Sequence, residues 1–198
     1  MYKLLFALAL SGLLFAAEAA FAQANLQPDT RLRLPPVPGT SGLSEAERTF
    51  LDHAIAGASV MADAGQLASQ HATNDAIRKL AGDIAIDQQK LEEQVVQLAQ
   101  SKDYKPGDST TPPELALLQQ LAGKTGADFD RAYLTAQNQA GRWLLGEYQT
   151  EMAQTQDLQL RTFAAERELL LRKQVDAVQK AADAMGMTLE APKNPPQY

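Results

Sequence analysis

From Ser44 to Met185, apolar side chains recur at intervals of three and four residues, the spacing that places them on one face of a helix. Phe50, Ala54, Ala58, Met61, Gly65 and Ala68 form the first such stripe and predict a helix from Ser44 to about Gln70. Ser44-Glu45-Ala46-Glu47 marks its start as a capping box: the Ser44 hydroxyl accepts the third amide of the helix, and Glu47 reaches back to the Ser44 amide. Most of this stripe is small, so a neighbouring helix can approach closely. Thr73-Asn74-Asp75 breaks the pattern and caps a second helix, to about Ser101, carrying Ile77, Leu80, Ala81, Ile84, Leu91, Val95 and Leu98. Gln88 stands where an apolar residue would continue that series. A third helix starts at Gly126-Ala127-Asp128 and runs to about Gln154, with Phe129, Ala132, Tyr133, Ala136, Trp143, Leu144 and Tyr148 inward. Asp157 caps a fourth, to about Met185, whose seam reads Leu160, Phe163, Leu170, Gln174, Ala177, Val178 and Ala181. Arg167 and Gln174 are its polar interruptions, and Gly186 ends it.

Four amphipathic helices of roughly 25–30 residues, each about 40 Å long, make an all-α four-helix bundle. Short links join the first helix to the second and the third to the fourth, whereas a long link rich in Pro, Gly, Ser and Thr separates the pairs. Pro112-Pro113 in that link precedes a short extra helix over Glu114–Ala122. Two antiparallel hairpins joined by a long crossover is the ferritin-like layout; an up-down-up-down bundle with an elaborated loop is the alternative. No alternating run of β-branched or aromatic residues is long enough to suggest a sheet.

The flanks read differently. Lys3 precedes an apolar run from Leu4 to Ala17, and Ala20-Phe21-Ala22 gives the small-x-small pattern of a signal-peptidase site. Residues 1–22 are therefore expected to be a signal peptide, with Gln23 as the mature start and cleavage after Ala24 as the alternative. The run is too short to span a bilayer about 30 Å thick, so no stable membrane span is expected after cleavage. The expected location is the periplasm, with secretion or outer-membrane association also open. Residues 23–43 form a Pro-rich linker, 44–186 the bundle and 187–198 a Pro-rich tail.

The net charge of −6 argues against a phosphate backbone as partner, and no stripe of Lys or Arg overrides it, so no nucleic acid is expected. The absence of cysteine removes disulfides, thiolate catalysis and zinc-thiolate sites together.

The segment Leu121-Ala-Gly-Lys-Thr-Gly-Ala-Asp-Phe-Asp-Arg-Ala-Tyr-Leu134 resembles the most characteristic stretch of family 4142 of the bacterial domains of unknown function. Phe50 with Ala54, Asn74-Asp75-Ala-Ile-Arg-Lys-Leu-Ala81 and Leu160-Arg-Thr-Phe-Ala164 support the resemblance, which covers about Ser44 to Gly186. It implies an exported, ferritin-like helical bundle and no established activity. It also implies histidines on the second, third and fourth helices, at positions that fall here on Gln88 (after Asp87), Gly141 and Gln174.

Those substitutions shape the candidate chemistry. A di-iron bundle needs two Glu-x-x-His motifs, and this chain has none; its two histidines, His53 and His71, both lie on the first helix. Both read as boundary or surface residues and remain, with Gly141, weak site candidates. Asp83 and Asp87 share a helix face, which reads as solvated. No Gly-x-Ser-x-Gly or phosphate-binding loop occurs. No metal, cofactor or catalytic site is expected. The leading candidates are Gln88 and Gln174, expected in one interior layer with Asp87 and Arg167 nearby. They either hydrogen-bond each other and fix helix register or line a small polar pocket. The functional expectation is an exported, non-enzymatic binding or envelope-related protein whose partner is an unknown protein or small molecule. A carrier of a metal or small molecule and an enzyme with an unfamiliar site are the alternatives.

Overall fold

A computed structural model describes residues 42–107, 118 and 121–190, all within the compact unit Val37–Tyr198. The expected signal peptide, nearly all of the linker and most of the Pro-rich tail lie outside the described residues. The chain forms four long helices: α1 (Glu45–His71), α2 (Asp75–Ser101), α3 (Gly126–Gln154) and α4 (Leu158–Ala184). Of the short piece expected over Glu114–Ala122, the described residues Leu118, Leu121 and Ala122 are helical.

The predicted caps form. Ser44 Oγ accepts the Glu47 amide at 3.2 Å while Glu47 Oε2 accepts the Ser44 amide at 2.7 Å. Asn74 and Asp157 each accept two amides of the first turn that follows. At the other ends, α2 and α4 close alike. The Tyr104 and Met187 amides reach back to Ala99 and Ala182, while Asp103 (φ 54) and Gly186 (φ 67) supply the left-handed residue.

Each helix has two neighbours, in the cyclic order α1–α2–α4–α3. Phe50 meets Tyr148 edge-on at 5.2 Å, and Gln137 donates to the Met61 carbonyl at 3.0 Å, so α1 and α3 run antiparallel. Lys102, after α2, pairs with Asp157, before α4, so those two are antiparallel as well. The second and third helices therefore point the same way, and the connection between them joins opposite ends of the bundle. This is the crossover arrangement rather than up-down-up-down.

Two stacked layers fill the interior. One gathers Phe50, Leu51, Trp143, Leu144, Tyr148 and Leu160; the other gathers Ile77, Leu121, Phe129, Tyr133, Leu134 and Val178. The small stripe of α1 does what its size suggests. A Cβ on Gly65 would sit 2.8 Å from the Ala81 carbonyl oxygen, so α1 and α2 are nearly in backbone contact there. Asp130 ties the α1–α2 turn to α3: it is 1% exposed and accepts the Thr73 amide, the Thr73 hydroxyl and the Asn74 amide at 3.0, 2.7 and 3.0 Å.

The structure corrects the expected seam of α4. Leu170 is 52% exposed, while Leu171, Ala164 and Val175 are buried in its place. The reason is the spacing of the helices. α2 and α4 approach each other least closely of the four neighbouring pairs, so a residue on that edge of the seam faces a gap.

Candidate functional site

That gap is a groove of about 370 Å³, and it holds the four leading candidates: Asp87 and Gln88 from α2, Arg167 and Gln174 from α4. Gln88 is 3% exposed and donates through Nε2 to Gln174 Oε1 at 2.7 Å, a side-chain hydrogen bond across the groove. One bond between two amides leaves one acceptor and one donor over, whichever way the amides are turned. Gln88 Oε1 and Gln174 Nε2 are those atoms, both buried and without a partner. Leaving such a group unpaired costs about 1–3 kcal/mol, so the pair both fixes the α2–α4 register and retains unused hydrogen-bonding capacity.

Arg167 stands two turns earlier on α4. Its guanidinium carbon lies 5.3 Å from the Phe163 ring centroid, and its Nε is buried and unpartnered. Its charge relieves Tyr148 only in part: that hydroxyl is also buried without a partner, and burial drives the phenol well above its ordinary value against the lowering by Arg167. Ile84, Leu91 and Leu171 make the apolar floor, Leu170 a wall, and Asp87, Lys90 and Lys173 the polar rim.

The weaker candidates lie elsewhere. His53 Nδ1 contacts Glu147 Oε2 at 2.9 Å with its ring 5.3 Å from Trp143, a link between α1 and α3. His71 is at the exposed end of α1, against Phe129. Gly141 is buried and close-packed: a Cβ there would lie 2.9 Å from Val175 Cγ2 and 3.5 Å from Met61 Cε. An imidazole at that position has no room without repacking, so Gly141 serves helix approach and is no ligand. Among the described residues, no three His, Cys, Asp or Glu side chains gather as a metal site would require.

Two buried carboxyls, Glu151 and Asp130, escaped the sequence reading. Glu151, on α3, is 5% exposed, and its Oε1 has no partner. Burial, with the nearby Glu47 and Asp157 charges, pushes its carboxyl up to about 7, against a Thr155 hydrogen bond that lowers it. Burial also disfavours the charge on Glu47, but hydrogen bonds from Thr155 and Ser44 outweigh it and hold that carboxyl below its usual value. A value near 7 suits proton transfer, and the hydroxyl beside it, that of Thr155, donates to Glu47 Oε1 at 2.7 Å. Their signal was available: Glu151 continues the Leu144–Tyr148 stripe, as Asp130 does the Tyr133–Gln137 one, so each is a polar residue at an apolar position, like Gln88.

Helix order, caps and core thus define an all-α, four-helix bundle with a polar-lined groove along one side. Among the described residues, no helix is long and apolar enough to cross a membrane. The chain belongs to the family described as a domain of unknown function, DUF4142, whose model matches residues 33–181. Comparison with curated proteins and with solved structures finds no match.

Proposed function

We propose that this chain is an exported, non-catalytic binding protein that holds a small amphipathic molecule in the α2–α4 groove. The observation that carries the reading is the Gln88–Gln174 pair with its two unpartnered amide atoms inside a groove floored by Ile84, Leu91 and Leu171. A few converging polar groups in an apolar concavity are how small-molecule sites are built, and the volume falls within their usual range. Export is supported by the basic start, the apolar run and Ala20-Phe21-Ala22.

Native mass spectrometry of the protein purified from its own host tests both parts. Export predicts a mass beginning at Gln23 or, for cleavage after Ala24, at Asn25. Binding predicts an added organic mass that survives gentle ionisation and is lost from the Gln88→Leu/Gln174→Leu double variant. An added mass that the double variant retains places the ligand elsewhere and overturns the groove as its site. A chain that keeps residues 1–22 overturns export.

A further inference from the structure

The polar atoms of the groove lie in two places, at two levels of α4. Gln174 and Arg167 are seven residues apart on α4, about 10.5 Å along its axis at 1.5 Å per residue. At one place, Gln88 Oε1 and Gln174 Nε2 offer one acceptor and one donor. At the other, Arg167 carries a permanent positive charge, an unpartnered buried Nε and, among the described residues, no carboxylate pairing with it. Glu168, the next residue on its helix, is engaged by Arg172 and Gln149. A partly buried guanidinium without a counter-charge is costly, and an anion in the groove relieves it. Between the two places lie Leu91 and Leu171 of the floor and Leu170 of the wall.

Resting on the groove as the binding site, we propose that its ligand is an unbranched aliphatic carboxylate with a hydroxyl or amide at its far end. The carboxylate sits on Arg167, the far group completes the Gln88–Gln174 pair, and the chain between lies on the three leucines. A hydroxyl or an amide N–H donates to Gln88 Oε1 while its oxygen accepts from Gln174 Nε2, so one group satisfies both leftover atoms. An extended chain of about nine bonds, at roughly 1.2 Å each, spans the axial offset between the two backbone positions. The probe that follows is 10-hydroxydecanoate.

Titration calorimetry of the purified protein compares 10-hydroxydecanoate with decanoate, 1,10-decanediol and 1-decanol, with amide NMR shifts locating each probe. The expected order places 10-hydroxydecanoate first. Arg167→Met weakens it at least tenfold while leaving 1,10-decanediol nearly unchanged, and Arg167→Lys restores part of the loss. Gln88→Leu abolishes the preference of 10-hydroxydecanoate over decanoate. If the alcohols bind in the groove as tightly as the carboxylates, with no response to Arg167→Met, the ligand class is overturned and the groove reading survives. If none of the four probes shifts a groove residue, the ligand class is overturned, and the mass-spectrometric experiment above decides the groove independently.

Discussion

Replacing Glu151 by Gln should stabilise the protein in a pH-dependent way, because Glu151 is buried beside Glu47 and keeps one carboxylate oxygen unpaired. The folded-state value near 7 stands above the ordinary 4.5, so the folded protein holds this proton more tightly than the unfolded chain does. Below the unfolded value both states are protonated and Glu151 carries no penalty. Between 4.5 and about 7 the unfolded chain ionises first and the penalty grows; above that range it is complete. The rise corresponds to about 3 kcal/mol at 1.36 kcal/mol per pH unit. Glutamine keeps the shape and remains neutral throughout, so Glu151→Gln should gain about 3 kcal/mol at pH 8 but about 1 kcal/mol or less at pH 5. At this chain length the pH 8 gain raises the melting temperature by about 10 °C. Urea unfolding of both proteins in parallel from pH 5 to 8 isolates the effect, since every other titrating group is common to the two. A difference that does not change with pH, or a loss at pH 8, would refute the argument that Glu151 is a strained buried carboxylate.

Three further outcomes test the packing. Gln88→Leu should cost about 1–3 kcal/mol in chemical denaturation by leaving Gln174 without its partner, and Gln88→Leu/Gln174→Leu should cost less than the sum of the single changes. Gly65→Ala should cost about 1–3 kcal/mol, because its Cβ meets the Ala81 backbone, which cannot rotate away; equal stability would show that α1 and α2 separate freely. Asp103→Gly should stabilise by up to about 1 kcal/mol through the left-handed position after α2, readable as a rise of a few degrees in melting temperature.

Much of this architecture was legible in the chain. The stripe from Phe50 to Ala68, the Ser44 capping box and the caps at Asn74 and Asp157 depend on contacts within a few residues, so local pattern alone determined the helices and nearly all their ends. Gln88 and Gln174 were legible for a related reason: a polar side chain in an apolar series must find a partner, and only another interior polar group can supply one. What the helices do to one another was not local. Periodicity specifies a face to within a residue or so, and the unequal spacing of the four sides decided that Leu170 lines a groove while Leu171 enters the core. Proximity in space likewise decided that Gly141 packs against Val175, that Asp130 holds the α1–α2 turn, and that Glu151 lies buried against Glu47. The sequence by itself determined which segments are helical and which seam positions are polar. Only the tertiary structure decided which polar positions meet and which remain unpaired, because desolvation and pairing depend on distances between residues far apart in the chain.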